Sequence, residues 1–136
     1  MSKQPLSFLM MDPPFESART LTAFRLIQEA LAQGHPVKVF AYEGAVGLSF
    51  ARQVAHANAV HGRDVSQEDH PLPRDWIARL QADAAARGVS LEWVNCGLCV
   101  DERGVNETAP DVRRGSPADF WKMVGESANA LVIPTR

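Results

Sequence analysis

Four short apolar runs, each parted from the next by a stretch with helical patterning, constrain this chain more than any other feature. "LSFLMM" (Leu6–Met11) is continuously apolar and stops at "DPP", which suits a strand buried on both faces. "PVKVFAYEG" is rich in β-branched and aromatic residues and stops at Gly44. "SLEWVNC" is the third run. As a strand it puts Leu91, Trp93 and Asn95 on one side and Glu92, Val94 and Cys96 on the other. "NALVIPT" closes the order as a last buried strand.

The intervening segments change period. In "ESARTLTAFRLIQEALAQG" the residues Leu21, Phe24, Ile27, Ala30 and Leu31 recur at three- and four-residue spacing, and Gly34 sits where a helix ends. A second helical region is expected within residues 46–60. A third covers "RDWIARLQADAAARG", where Trp76, Ile77, Leu80 and Ala84 share a face and Gly88 is the stop. Between these two, residues 61–73 read as a polar loop. A short helix, Leu98–Arg103, is expected to end at Gly104. Ser116 before Pro117 opens the last helix, since serine suits the N-cap and proline the first helical turn.

Strands alternating with helices predict an α/β fold: a mostly parallel sheet flanked by helices on both faces in a flavodoxin-like three-layer arrangement, with right-handed crossovers. A length of 136 residues with 46% hydrophobic content suits one domain over residues 1–136. Such sheets place function at the C-terminal ends of their strands. Three loops are thereby singled out: "MDPPFES", "YEGAVGL" and "NCGLC". All three can meet at one rim.

A formal net charge of −2 supplies no basic field for nucleic acid or an anionic membrane. No run approaches a membrane span, and the N-terminal apolar run is ended by Asp12 and two prolines before a signal core forms. A cytoplasmic protein is therefore expected, where thiols are normally reduced.

Against that background stand the only two cysteines, Cys96 and Cys99, in "VNCGLCVDERG". Zinc needs about four ligands, and the histidines at 35, 56, 61 and 70 provide no matching pair, so neither a metal nor a cofactor is expected. A thioredoxin-like pair would open a helix after a strand, so that the helix lowers the first thiol's pKa. The local order fits that pattern, although Asn95 precedes the pair and Gly97-Leu98 intervene where such proteins carry an aromatic and a proline. Burial as a small hydrophobe is the ordinary alternative for either cysteine.

"LEWVNCGLCVDERGV" resembles the active-site segment of the DsrE/DsrF/TusD-like (YchN-like) sulfur-transfer family, in which a strand delivers one cysteine and a short helix ends eight residues later in Arg-Gly and an apolar residue. "MDPPFESARTLTAFRLIQEALAQGHPVKVFAYEGAV" is similar to that family's opening and "GSPADFWKMVGESANALVI" to its last helix and strand. The resemblance implies that Cys96 carries sulfane sulfur as a persulfide, with Arg103, Gly104 and Val105 at the helix end. It also implies trimers or hexamers, often of related subunits, and protein partners that donate and accept sulfur, for tRNA thiolation or sulfur oxidation. Cys99 stands where familiar members have a small apolar residue, which makes it a candidate resolving thiol. Asp101 and Glu102 also depart from the pattern, and would oppose thiolate formation if they faced the sulfur.

Around the cysteines, Gly97 would let a partner's backbone approach. Pro14 and Phe15, with Asp12 and Pro13, are candidate pocket residues or simply a strand-ending turn. Tyr42 and Glu43 rank with them, Glu43 as a polar contact at the rim. Trp76, Trp93 and Trp121 are expected in the core or at subunit contacts. Arg113-Arg114 reads as a solvated loop, or else as an attractor for an acidic partner or a thiosulfate-like anion. Two other functions remain open: a thiol-disulfide redox protein or sensor using the Cys96/Cys99 pair, and a non-enzymatic oligomeric binding subunit.

Overall fold

The computed structural model describes residues 3–55 and 71–135. Five strands, β1 (Leu6–Met10), β2 (Val37–Ala41), β3 (Leu91–Cys96), β4 (Val112–Gly115) and β5 (Asn129–Ile133), form one sheet in the order β4-β3-β2-β1-β5. Every neighbouring pair is parallel. Between the strands run α1 (Arg19–Ala32), a 3-10 helix (Glu43–Ser49), α2 (Pro73–Arg87), α3 (Gly97–Arg103) and α4 (Pro117–Glu126). The α/β class with helices on both faces is as the apolar runs predicted.

Register decides which side chains share a face. Leu6, Phe8 and Met10 align with Val37, Val39 and Ala41, and these with Leu91, Trp93 and Asn95. On this face α1 contributes Phe24, whose ring centroid is 5.1 Å from that of Trp76 on α2 and 6.2 Å from that of Trp93. The expected stripes of both helices are buried, Phe24, Ile27, Ala30 and Leu31 on α1 and Trp76, Ile77, Leu80 and Ala84 on α2, except that Leu21, at the start of α1, is only half-buried. Alternation sends Ser7, Lys38, Phe40, Glu92, Val94 and Cys96 to the opposite face. There α4 lies across the sheet, with Phe120 packed on Phe40 and the Met123 carbonyl accepting from Ser7 Oγ.

Helix ends follow the expected chemistry. Gly88 and Gly104 take left-handed conformations that glycine adopts without a Cβ clash. Ser116 and Asp119 form a reciprocal capping box at the start of α4, with Pro117 in its first turn.

Three expectations are corrected. β5, expected as a buried strand, is the sheet's other edge, with none of its residues buried and Val132 54% exposed, because it pairs only with β1. Arg113 and Arg114 lie in β4, an edge strand beside β3, and not in a loop. "VRRG" carries no apolar run because an edge strand is held by backbone pairing on one side, and charged side chains guard its other side. The helical region expected within residues 46–60 begins earlier, is a 3-10 helix, and ends at Ser49; residues 51–55 are not helical. Pro13 and Pro14 shape this segment. A Cβ on Gly44 would lie 2.8 Å from Pro13 Cβ, and one on Gly47 3.3 Å from Pro14 Cδ. The rest of that region, residues 61–70 of the polar loop, and His56, His61 and His70 fall outside the described residues.

Candidate functional site

Cys96 is the last residue of β3 and Cys99 lies one turn into α3, so the strand-to-helix step brings both thiols to the C-terminal rim of the sheet. Both are free and buried, at 3% and 4% exposure. Leu98 between them is 75% exposed, so the outer side of the turn faces water.

The neighbouring strand supplies the other wall. Tyr42 and Glu43 follow β2, and the Glu43 backbone N–H donates to Cys99 Sγ at 3.3 Å. Glu43 has φ +52°, a left-handed conformation that costs a non-glycine residue of order 1 kcal/mol or more. Its side chain is fixed as well: Arg103 Nη2 donates to Glu43 Oε2 at 2.8 Å, while Arg103 Nη1 reaches the Cys99 carbonyl at 3.4 Å. The Arg-Gly that ends α3 thus has a physical role, tying this helix to the turn that touches Cys99. Behind the turn, Asn95 Nδ2 donates to Ser49 Oγ at 2.9 Å and fastens the end of β3 to the 3-10 helix.

The "DPPF" loop acts through that helix. Pro14 abuts Gly47, and Phe15 has φ +69°. Asp12 is buried at the root of the loop, accepting from Ser17 Oγ at 2.5 Å. The contacts of Pro13 and Pro14 with the two glycines brace the turn that carries Glu43.

Electrostatics separates the cysteines. Burial pushes the Cys99 thiol up to about 11, and a hydrogen bond with Cys96 adds to the rise, against the opposing pull of the Glu43 N–H. Cys99 therefore keeps its proton at neutral pH. Tyr42 is raised too, first by the Glu43 carboxylate and then by the Cys99 sulfur, which places its phenol close to the same cluster.

The acidic residues beside the pair do not act as the sequence suggested. Arg114 on β4 donates from Nη1 to Asp101 Oδ1 at 2.9 Å and from Nη2 to Oδ2 at 3.0 Å, a two-pronged pair that holds the Asp101 carboxyl below its usual range. The same Nη2 donates to the Gly97 carbonyl at 3.2 Å. Asp101 is thus matched by a cation, and Glu102 lies 3.6 Å from Arg103. Arg114, which the sequence offered only as a solvated residue or an anion attractor, is thereby a neighbour of the cysteine site. Among the described residues no group of three or more His, Cys, Asp or Glu could hold a metal ion, and no helix is long and apolar enough to cross a membrane.

Of the sequence-predicted residues, Cys96, Cys99, Tyr42, Glu43 and Gly97 gather at one rim. Pro14 meets them through the 3-10 helix. Trp76 and Trp93 lie in the core, whereas Trp121 is 80% exposed on α4 and is not a core residue.

Comparison with known proteins agrees with this geometry. A model of the DsrE/DsrF-like family matches residues 4–133. The crystal structure of the YchN protein from E. coli superposes with a TM-score of 0.73 at 15% identity, covering 96% of this chain and 99% of that one; at such identity the likeness concerns the fold. Among curated proteins none matches.

Proposed function

The chain belongs to the DsrE/DsrF-like family, and from that premise and its unequal cysteines we propose that it is a sulfur-relay protein carrying sulfane sulfur as a persulfide on Cys96. The observation that carries this reading is the meeting of the chain's only two cysteines at the C-terminal rim, one of them held protonated.

The Cys96 thiolate attacks the terminal sulfur of a donor persulfide, R–S–SH. A bond forms between Sγ and that sulfur, the donor S–S bond breaks, and its electron pair leaves on the donor thiolate. The proton stays with the transferred sulfur, so charge and atoms balance and no outside oxidant is needed. Delivery to an acceptor thiolate repeats the step with the roles exchanged.

Cys99 supports the carrier role by being a poor nucleophile. With its thiol at about 11, only about one molecule in ten thousand holds the Cys99 thiolate at pH 7. Internal attack on the Cys96 persulfide, which would release sulfide and close a disulfide, is correspondingly slow. Cys99 thus serves as a protonated neighbour of Cys96 more than as a resolving thiol. Donor and acceptor proteins reach Cys96 past the exposed Leu98. The exposed Trp121 and Val132 offer apolar contacts for the expected trimer or hexamer.

Intact mass after exposure to a small persulfide donor tests this reading. The expected result is a gain of one sulfur atom, retained in Cys99→Ala and absent in Cys96→Ala. A loss of two hydrogens in the unmutated protein, with no sulfur gained, would instead establish the disulfide redox pair.

A further inference from the structure

Gly97 opens α3 directly after Cys96, yet its backbone is outside the positive-φ region that calls for glycine. What the missing side chain leaves room for is Arg114. A Cβ on residue 97 would lie 2.9 Å from Arg114 Nη2 and 3.2 Å from both Cζ and Nε. The guanidinium is therefore laid flat against the backbone beside the reacting cysteine, fixed on its outer side by both oxygens of Asp101 and on its inner side by the Gly97 carbonyl. Its placement follows from the sheet: β4 pairs Asn95 with Arg114 and Cys96 with Gly115, which puts Arg114 one residue from the strand's end. The fields of Arg114 and Cys96 also overlap, the Cys96 sulfur contributing to the raised pKa of Arg114 after the larger effects of Asp101.

We propose that Arg114, held by Asp101 over Gly97, is the specificity-determining cation of the Cys96 site and selects sulfur compounds that carry negative charge beside the reacting sulfur. The assignment rests on Cys96 as the reacting thiol. A small persulfide donor, R–S–SH, whose R group bears a carboxylate or sulfonate answers this description. Arg114 touches the backbone at Gly97 and not the Cys96 sulfur, so it acts on approach and orientation. Arg113 is a built-in control: it is the next residue on the same strand, but it faces α4 and is occupied by Glu92 at 2.6 Å and Asp119 at 3.2 Å.

Two alkylating reagents of nearly equal size and the same leaving group, iodoacetate and iodoacetamide, isolate charge selection from general exposure. Their rates at Cys96 are read on the full chain by mass spectrometry, with fragmentation separating Cys96 from Cys99. The ratio of the iodoacetate to the iodoacetamide rate is expected to fall roughly threefold to tenfold in Arg114→Gln. It should fall in the same direction in Gly97→Ala, which keeps the arginine but displaces it, and stay unchanged in Arg113→Gln. Added salt should shrink the unmutated protein's ratio towards that of Arg114→Gln. An unmutated ratio in Arg114→Gln overturns the assignment, as does an equal fall in Arg113→Gln. If Arg114→Gln does not fold, Gly97→Ala decides in its place. Failure to load sulfur on Cys96 with a normal charge preference would remove the carrier role and leave the selectivity of Arg114 standing.

Discussion

On the sheet face covered by α1 and α2, Phe24, Ile27, Leu31, Trp76, Ile77, Leu80 and Trp93 close over one another with almost no exposure. Among the described residues the opposite face is covered by α4, whose only buried residue is Met123. There the sheet carries charge: Lys38 lies 3.4 Å from Glu92 and 3.1 Å from Glu126, and Arg113 bridges Glu92 and Asp119. Val132 and Trp121 are left exposed. Dry packing is concentrated where the fold needs it, and Cys96 belongs to the wetter face.

The largest effect expected from this contrast is on the sealed face. Phe24→Ala should cost about 3–5 kcal/mol in urea unfolding, because the ring is fully buried and its neighbours Trp76 and Trp93 cannot collapse into the space. Phe120→Ala, removing a part-buried ring from the other face, should cost less than half as much. Equal losses would erase the distinction between the faces.

Next in size is an alkaline effect at the rim. The Cys99 pKa is raised in the fold from 9.0 to about 11. A raised folded pKa means that stability is fully present below pH 9 and is lost as pH climbs through about 11, since the unfolded chain releases the proton first. Denaturation midpoints followed against pH should show this loss in the unmutated protein and in Cys96→Ala, and a smaller one in Cys99→Ala, where the raised Tyr42 and Lys38 still titrate. A flat alkaline profile in the unmutated protein would mean that water reaches Cys99 freely.

The charged face should respond to acid instead. Burial works to raise Glu92, but the hydrogen bond from Arg113 and the charge of Lys38 prevail and lower it. Asp119 is lowered first by the Ser116 backbone N–H and then by Arg113. Depressed carboxyl pKa values give stability that is present above the ordinary values of 4.5 and 3.8 and is lost as pH falls below them. Arg113→Gln should cost about 1 kcal/mol or less at neutral pH, because the pairs are partly solvated, and should flatten the acid limb of the stability profile. A variant with an unchanged acid limb would show these pairs to be spectators.

These contrasts also mark where sequence reading succeeds. The strands β1, β2 and β3 and the stripes of α1 and α2 were legible because burial selects residue type at a fixed period; β5 was legible as a strand, but its place at the exposed edge was not. Cys96 at the end of β3, Gly104 after α3 and the Ser116 cap were legible because local backbone chemistry fixes them. β4 was not: it owes its place to hydrogen bonds from β3 and to ion pairs, neither of which leaves an apolar pattern. The 3-10 form and early start of the helix after β2 were not legible because Gly44 and Gly47 answer to Pro13 and Pro14, more than thirty residues away. Arg114 was named only as a solvated or anion-attracting residue, and its place beside the cysteines was not legible for the same reason, since its partner backbone at Gly97 is seventeen residues earlier and comes into reach only once β4 pairs with β3. The one local trace was a glycine opening a helix where no unusual backbone angle required it.

The smallest expected effect on the isolated chain comes from Trp121. At 80% exposure the indole gains little from the fold, so Trp121→Ser should change unfolding free energy by about 0.5 kcal/mol or less. Sedimentation of the same variant should differ more. If the α4 face is where copies or related subunits meet, removing its largest exposed apolar group shifts the population towards smaller species while the melting of the dilute chain stays put. A loss of stability comparable to that of Phe24→Ala would place Trp121 among the packed residues and make the α4 face as closed as the other. Unchanged sedimentation with unchanged stability would move the contact surface elsewhere, leaving the exposed Leu98 beside the cysteines as the apolar group for a visiting partner.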